Sequence, residues 1–271
     1  MEIITITNNR GGTGKTTTTQ NLAIGLVLLG KRVLVVDSDP QCNLSFVFQV
    51  LNAPNNLYKL YTNECNINEC RYRVNFNYNN KKYLIDVIPS SKKLANADNE
   101  FTREPYISLG CNRLLKDNLD LIKNEYDYIL IDTPPTLAIL TLNALNSSDY
   151  AVVPMQADIF SIQGLANLKE KIDLINRNPQ RDPKVYIKGL LLTRYNDRTI
   201  LNRDLRESII KATREYDTKL FNTYIRESIA VRESQANANC VLLQYPNNNA
   251  SIDYMNFIKE LLEDKEREEI L

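Results

Sequence analysis

One stretch near the beginning of the chain constrains the fold more than any other. The apolar run Ile3 to Ile6 is followed at positions 8 to 19 by Asn-Asn-Arg-Gly-Gly-Thr-Gly-Lys-Thr-Thr-Thr-Thr. A β-branched apolar run predicts a buried strand, and glycines followed by a lysine let backbone N–H groups converge on an anion where a helix begins. The stretch therefore predicts a strand, a phosphate-binding loop and a helix.

This loop departs in one position from the standard spacing, Gly-x4-Gly-Lys-[Ser/Thr], because Asn9 stands where the first glycine would be. A glycine-rich turn without a ligand is the alternative, but it requires neither the lysine nor the hydroxyls that follow. We therefore expect a bound nucleotide, with Lys15 as a point charge on phosphate and Thr16 as a ligand of Mg²⁺. The expected nucleotide-binding residues of the loop are Gly11, Gly12, Thr13, Gly14, Lys15, Thr16 and Thr17.

Composition restricts the remaining classes. The chain has 271 residues, 43% of them hydrophobic, and its 33 basic and 33 acidic residues cancel. A DNA-binding surface would therefore have to be a local patch. The five cysteines form no Cys-x2-Cys pair and histidine is absent, which argues against a zinc site, a disulfide framework and a histidine base. The longest apolar run, Ala23 to Leu29, is too short to cross a bilayer, so we expect a cytoplasmic protein that is not integral to a membrane.

Two further apolar runs end in acidic turns. Val33 to Val36 precedes Asp37-Ser38-Asp39-Pro40, and Tyr128 to Ile131 precedes Asp132-Thr133-Pro134-Pro135. Parallel sheets place their chemistry at the carboxyl ends of strands, so these carboxylates are candidates for the same site as the phosphate loop. A proline-closed acidic turn is the alternative for the first, and a lone strand ending in Asp is a weak signal for the second. Their order along the chain favours the common site.

The rest of the chain alternates strand-length apolar runs with apolar residues at helical spacing. This alternation predicts an α/β fold with a doubly wound, mostly parallel sheet and helices on both faces. No composition shift marks a linker, so we expect a single domain over residues 1–271. A variable insertion is expected near residues 49–82, where interleaved aromatic and basic residues indicate either a nucleic-acid or partner surface or, as we favour, a short hairpin. Other predicted elements are helices over 17–29, 113–125 and 203–216 and a strand over 220–225.

The helix predicted from Arg203 to Tyr216 is amphipathic. Leu205, Ile209 and Ala212 fall on one face of it, whereas its basic residues fall on the opposite face. A solvated helix face would look much the same. With further arginines on either side of this helix, we expect a patch that binds DNA through Arg198, Arg203, Arg206, Arg214, Arg226 and Arg232.

Arg-Gly-Gly-Thr-Gly-Lys-Thr-Thr resembles the Lys-Gly-Gly-x-Gly-Lys-[Thr/Ser] signature of the ParA/MinD/Soj superfamily of P-loop ATPases, with Arg10 at the signature lysine. Asp-x-Asp-Pro-Gln-x-Asn, which begins at Asp37, is similar to that family's second motif. In the family the signature cation reaches across an ATP-sandwich dimer to the partner's nucleotide, and the resemblance gives that role to Arg10. It also implies that Asp37 and Asp132 act at Mg²⁺ through water, and that Asp39 positions or deprotonates the attacking water.

Two segments of the second half extend the resemblance. Residues 225–235 are similar to the ParA/Soj branch of the superfamily. Asn196, after a predicted strand, matches the family's base-contacting segment, although an asparagine in a turn explains it equally well. No Asn-Lys-x-Asp guanine-reading motif is present, which favours adenine.

The resemblance implies an Mg²⁺-dependent ATPase that dimerises on ATP and binds DNA nonspecifically on the nucleoid. Such an ATPase would partition a plasmid or chromosome with a ParB-like, DNA-bound partner that stimulates hydrolysis. Two other classes stay open: a MinD-like membrane-cycling ATPase and a metabolic P-loop enzyme. The acidic segment from Glu260 to Leu271 disfavours an anionic bilayer, and we identify no residues for a metabolite pocket.

Overall fold

The centre of the fold is an eight-stranded sheet. The computed structural model describes residues 1–103, 110–178, 181 and 183–270, with side chains described up to residue 264. Across these residues the strands are β1 (Glu2–Ile6), β2 (Val33–Asp37), β3 (Tyr72–Tyr78), β4 (Lys81–Ile88), β5 (Tyr128–Asp132), β6 (Tyr150–Met155), β7 (Tyr186–Tyr195) and β8 (Ile225–Arg226). Their order is β3-β4-β2-β5-β1-β6-β7-β8, and every described neighbouring pair is parallel except β3 with β4. The predicted mostly parallel sheet is confirmed.

Helices cover both faces of this sheet. The described α-helices are α1 (Lys15–Leu28), α2 (Asn43–Val47), α3 (Leu57–Tyr61), α4 (Ala97–Glu100), α5 (Leu114–Leu119), α6 (Ile139–Ser147), α7 (Ile159–Asn176), α8 (Ile200–Glu215), α9 (Ile229–Ala236), α10 (Val241–Gln244) and α11 (Asn249–Ile270), with 3-10 turns at Lys92–Asn96 and Lys123–Glu125. Strand side chains alternate between the layers, so Leu130 packs with α1 and α11, whereas Ile129 and Ile131 pack with α3, α5 and α6. None of the described helices has the length and apolar character needed to cross a bilayer.

α1 starts directly at the phosphate loop. Gly14 precedes it with a φ of 87°, a left-handed conformation that glycine adopts without steric penalty, and Gly30 follows it with a φ of 82°. The helix therefore begins at Lys15, two residues before the predicted start. It is buried between the sheet and α11, and a Cβ at Gly25 would lie 2.2 Å from Cδ1 of Ile258. The two helices therefore cross closely, and a larger residue at position 25 would require the Ile258 side chain to move.

The segment 49–82 contains α3 and one strand of a hairpin. Tyr78 pairs with Lys81 around Asn79 and Asn80, whose φ angles are 48° and 60°. Positive φ at both central residues is the geometry of a type I′ turn, which asparagine tolerates better than most residues. The hairpin interpretation of this segment is therefore confirmed.

The predicted strand over 220–225 is wrong in extent. The structure retains an isolated bridge from Leu190 to Leu220 and the two-residue strand β8. The cause is Glu260 on α11, whose carboxylate accepts hydrogen bonds from the backbone N–H groups of Asn222 and Thr223 at 2.7 and 2.9 Å. These two donors are therefore not available to a strand ladder.

Two predicted helices also differ in their bounds. α8 begins at Ile200 rather than at residue 203 because the Thr199 side chain accepts a hydrogen bond from the N–H of Asn202 and caps the helix. The helix predicted over 113–125 divides into α5 and a 3-10 turn. The change of geometry begins at Leu121, whose N–H bonds three residues back to the carbonyl of Asn118 at 3.2 Å.

Candidate nucleotide-binding site

The candidate site lies where β1, β2 and β5 end beside α1. The strand register pairs Asp37 with Asp132, so the two residues stand side by side at the carboxyl edge of the sheet. Thr16, in the first turn of α1, donates from Oγ1 to Oδ2 of Asp132 at 2.6 Å, and Thr19 donates to Oδ1 at 3.2 Å. The structure thus brings together the three residues predicted to act at a metal ion.

Three hydrogen bonds hold Asp37 where solvent does not reach it. Its Oδ2 accepts from the N–H and the hydroxyl of Ser45 at 2.7 and 2.6 Å, and its Oδ1 accepts from the N–H of Asp39 at 3.1 Å. Burial raises the pKa of Asp37 to about 7, against the opposing effect of the Ser45 bonds. Burial also raises the pKa of Asp132, and the neighbouring charge of Asp37 adds to that effect. A cation at this edge would therefore favour the ionised form of both carboxylates.

Lys15 contacts its own loop. It is 7% exposed, and its Nζ donates to the carbonyl oxygen of Arg10 at 2.8 Å. Burial lowers the pKa of the Lys15 ammonium, while the charges of Asp132 and Asp39 act in the opposite direction. Phosphate oxygens accept hydrogen bonds as this carbonyl does, so the Lys15 ammonium could donate to a phosphate in place of the carbonyl.

An open cavity of about 520 Å³ adjoins these residues. At Gly11 and Gly12 an added Cβ would meet no atom within 4 Å, which leaves space beside the loop. Thr13, by contrast, is 2% exposed and directs its hydroxyl to the carbonyl of Arg10, so it supports the loop without lining the cavity. The lining residues are Gly11, Gly12, Gly14, Lys15, Thr16, Thr17, Gln20, Asp39, Gln41, Asn43, Phe46, Val47, Pro135, Arg194 and Gln235.

Gln235 on α9 is a site residue that the sequence analysis missed. Its Nε2 donates to Oγ1 of Thr17 at 2.6 Å, and it lines both the main cavity and a smaller adjoining one of about 40 Å³. The smaller cavity has apolar walls from Ile225, Val231 and Tyr254. The segment 225–235 resembles the family, but no local pattern in it predicts that Gln235 reaches a threonine 218 residues away.

Asn196 does not line either of these cavities. It is exposed, and its Oδ1 accepts a hydrogen bond from the N–H of Arg198 at 3.0 Å, which is the behaviour of an asparagine in a turn. Two residues earlier, Arg194 lines both cavities and has a φ of 51°, a left-handed conformation that is unusual for a side chain of this size. The end of β7 therefore reaches the site through Arg194.

Arg10 is paired with a residue of the same chain. Its guanidinium forms an ion pair with Asp158, the residue that precedes α7, and lies 5.7 Å from the ring centre of Phe160. The Arg10 side chain is 41% exposed. Of the three residues predicted to be catalytic, Lys15 and Asp39 line the cavity, and Arg10 lies at its edge through its carbonyl contact with Lys15.

The predicted arginine patch divides into two groups. Arg198, Arg203 and Arg214 are exposed and Arg206 is half-buried, while the opposite face of α8 buries Ile209 as predicted. The remaining two arginines are already paired. Arg226 contacts Asp253 through hydrogen bonds of 2.6 and 2.9 Å. Arg232 lies 3.7 Å from Glu227.

Comparison with known proteins gives one family match and relatives that are similar over nearly the whole chain. The family model described as an AAA domain matches residues 1–185. The sporulation initiation inhibitor protein Soj of Bacillus subtilis is 33% identical, over 96% of this chain and 98% of Soj. The chromosome partitioning protein ParA of Myxococcus xanthus is 30% identical, over 96% of this chain and 87% of that protein.

Solved structures give the same fold. A putative plasmid partition protein from Borrelia burgdorferi bound to AMPPNP is 26% identical, with a TM-score of 0.76 over 97% of this chain and 99% of that one. Cobyrinic acid a,c-diamide synthase from Mycobacterium smegmatis with bound ADP and magnesium has a TM-score of 0.78 over 97% and 94% of the two chains, but at 23% identity it supports the fold alone. From the site residues, the family match and the near full-length similarity to Soj and ParA, we conclude that the chain belongs to the ParA/Soj family of P-loop ATPases.

Proposed function

We propose that this chain is an Mg²⁺-dependent ATPase that dimerises on ATP, binds duplex DNA nonspecifically, and partitions a plasmid or chromosome. Its partner would be a ParB-like, DNA-bound protein that stimulates hydrolysis, and its location the nucleoid. The observation that carries the ATPase proposal is the convergence at one sheet edge of Thr16, Asp37 and Asp132, next to a cavity lined by Lys15 and Asp39.

The residues at this edge fit a nucleotide with Mg²⁺. The cavity of about 520 Å³ has the size of a small-molecule site, and the loop glycines leave room for phosphates. The Thr16 hydroxyl and the carboxylates of Asp132 and Asp37 are the oxygen ligands, direct or through water, that Mg²⁺ prefers. When bound, Mg²⁺ neutralises charge on the phosphates. Within the described part of the chain, no three acidic or cysteine side chains form a metal cage.

The proposed role of Asp39, action on the attacking water, is supported by its place in the cavity lining. It is 7% exposed, and its Oδ1 is oriented by a hydrogen bond from the N–H of Gln41 at 2.9 Å. A fixed carboxylate suits phosphoryl transfer, which depends mainly on positioning and charge stabilisation. Asp39 would therefore orient the attacking water, while Lys15 would bind phosphate.

An ATP-hydrolysis assay tests the ATPase proposal. We expect wild-type turnover to require Mg²⁺, and Asp39→Ala to bind ATP as wild type does but to hydrolyse it about 100-fold more slowly. Asp120→Ala is the matched control, because Asp120 is a carboxylate at an exposed ion pair with Lys116. Wild-type turnover by Asp39→Ala would remove Asp39 from the mechanism.

Gly11→Val tests dimerisation across the phosphate loop. An added Cβ at Gly11 would meet no atom within 4 Å in the isolated chain, and the φ of Gly11 is not in the left-handed region, so we expect the chain to accept valine there. A partner approaching the loop would meet the added side chain. We expect Gly11→Val to bind ATP but to stay monomeric in sedimentation experiments under conditions that dimerise Asp39→Ala. An ATP-bound Asp39→Ala protein that stays monomeric would contradict the proposed dimer.

A further inference from the structure

The most informative unexplained contact is the one that holds Arg10. This residue is bound at both ends: its carbonyl oxygen accepts from Nζ of Lys15 at 2.8 Å, and its guanidinium forms an ion pair with Asp158. The Phe160 ring, 5.7 Å from the guanidinium, adds a cation–π contact. A guanidinium paired in this way has its charge largely neutralised within its own subunit.

Asp158 has a second role as the N-cap of α7. Its Oδ1 accepts from the N–H of Ser161 at 3.0 Å, and its Oδ2 contacts the Ser161 hydroxyl at 3.1 Å. The phosphate loop packs closely on this helix, because a Cβ at Gly164 would lie 2.4 Å from Oδ1 of Asn9. The acceptor for Arg10 is therefore fixed by a helix that is itself fixed against the loop.

We propose that Asp158 is a positioning residue that holds Arg10 on its own subunit, so that ATP-driven dimerisation must exchange this ion pair for phosphates of the partner's nucleotide. The inference rests on the proposed ATP-dependent dimer. A nucleotide in the same subunit competes for Lys15 and so releases the Arg10 carbonyl. That nucleotide gives the Arg10 guanidinium no acceptor in place of Asp158. The ion pair with Asp158 breaks only when the phosphates of the partner's nucleotide become the better acceptor.

The expected effect follows from the exposure of the ion pair. With side chains 41% and 27% exposed, a pair of this kind changes an equilibrium by about threefold. Dimerisation breaks one pair in each subunit, so the two factors multiply. Loss of the Asp158 charge should therefore lower the dimer dissociation constant by about tenfold.

Asp158→Asn separates the two roles of the residue. The asparagine oxygen still accepts from the N–H of Ser161, since Asn caps helices as well as Asp does, but the charge that holds Arg10 is gone. Asp173→Asn is the matched control. It removes one carboxylate charge from the same helix by breaking the exposed pair with Lys169, whose atoms are 3.1 Å apart. Thermal unfolding verifies that both variants are folded.

The measurement is sedimentation over a protein concentration series with Mg²⁺ and either ATPγS or ADP. We expect Asp158→Asn to dimerise with ATPγS at about tenfold lower concentration than wild type, with no dimer in ADP, and Asp173→Asn to match wild type. In an Arg10→Ala background, Asp158→Asn should have no effect, which a purely structural role of Asp158 would not produce.

The outcomes separate this inference from the proposed function. If wild type dimerises with ATPγS and Asp158→Asn is no tighter, the inference is wrong and the proposed dimer stands. If neither protein dimerises, both are wrong. If wild type stays monomeric with ATPγS and Asp158→Asn dimerises, the result supports the holding role and shows that Asp158 determines the concentration at which the protein dimerises.

Discussion

The charged residues at the carboxyl edge of the sheet, beside the phosphate loop, and those of the arginine patch around α8 lie in opposite environments. At the edge, Asp37 and Asp132 are fully buried and oriented by hydrogen bonds from residues on neighbouring elements. Around α8, Arg198 and Arg203 are exposed, and the orientation of an exposed side chain is weakly fixed. A buried charge at the edge costs free energy unless it has a partner in a fixed geometry. An exposed arginine contributes little binding free energy alone, and salt screens that contribution. The two regions should therefore respond differently to substitution.

The largest effect should come from Lys15→Ala at the edge. The substitution removes the buried ammonium of the cavity and leaves the charges of Asp132 and Asp39 uncompensated. We expect nucleotide affinity to fall by roughly 100-fold, the loss of one or two charge-assisted hydrogen bonds, measured by calorimetry with ATP and Mg²⁺. Lys31→Ala, at an exposed lysine, is the control. Wild-type affinity in Lys15→Ala would show that phosphate binds elsewhere.

Asp37→Asn tests the cost of burial through pH. The folded chain retains a proton on Asp37 up to about pH 7, while the unfolded chain releases it near its ordinary value of 3.8. Stability in the absence of nucleotide and Mg²⁺ should therefore fall as pH rises between these values, with the full cost present above about pH 7.

An asparagine at position 37 cannot ionise, so it removes that cost, but it weakens one of the hydrogen bonds that the Asp37 carboxylate accepts. We expect Asp37→Asn to be more stable than wild type by about 2 kcal/mol near pH 8 and to show no gain near pH 4, measured by urea unfolding. Some pH dependence should persist because Asp132 also has a raised pKa. An equal effect of the substitution at both pH values would exclude Asp37 as the titrating group.

Substitutions in the arginine patch should have smaller effects on DNA affinity, and the size of each effect should depend on whether the arginine is already in an ion pair. Arg198→Ala should weaken ATP-dependent binding to duplex DNA by about threefold to tenfold for all sequences, with a shallower salt dependence. Arg226→Ala should have less effect on DNA affinity, because Asp253 already neutralises Arg226. It should instead reduce stability, since Asp253 is 6% exposed and would lose its partner. Fluorescence anisotropy at several salt concentrations measures this difference, and equal losses in the two variants would contradict it.

The smallest effect is expected at Asn196. Because Asn196 is exposed and lines neither cavity, Asn196→Ala should change ATP affinity by less than about twofold. Arg194→Ala is the comparison, since Arg194 lines both cavities, and we expect a loss of about fivefold. Binding titrations with ATP and GTP measure both variants. A larger loss at Asn196 than at Arg194 would restore the base contact assigned to Asn196 by resemblance.

The sequence predicts that Thr16, Asp37 and Asp132 meet at one edge of the sheet, because each is placed there by the strand or turn that carries it. The spacing from Gly11 to Thr16 determines the turn and the helix start, and a strand that ends in Asp37 or Asp132 delivers its carboxylate to the sheet edge in any parallel order that joins them. The parallel sheet is predicted because strand-length apolar runs alternate with helical patterns along the chain.

The residues that the sequence does not reveal depend on distant partners. Three such contacts join elements that are far apart in the sequence. They are the hydrogen bond from Gln235 to Thr17, the ion pair of Arg226 with Asp253, and the hydrogen bonds from two N–H groups of the predicted strand over 220–225 to Glu260. Helical periodicity identifies which face of α8 is buried, but it contains no information about which arginines elsewhere are already neutralised.

The crossing of α1 and α11 at Gly25 has a consequence for biosynthesis. Residues 15–28 leave the ribosome long before residues 249–270, yet Ile258 and Tyr254 of the later helix cover the earlier one. Until α11 is synthesised, the helix that begins at the phosphate loop has an uncovered apolar side, and the nascent chain must keep that surface from aggregating. Competence to bind nucleotide should thus arise late in translation, although the loop itself is among the first segments made.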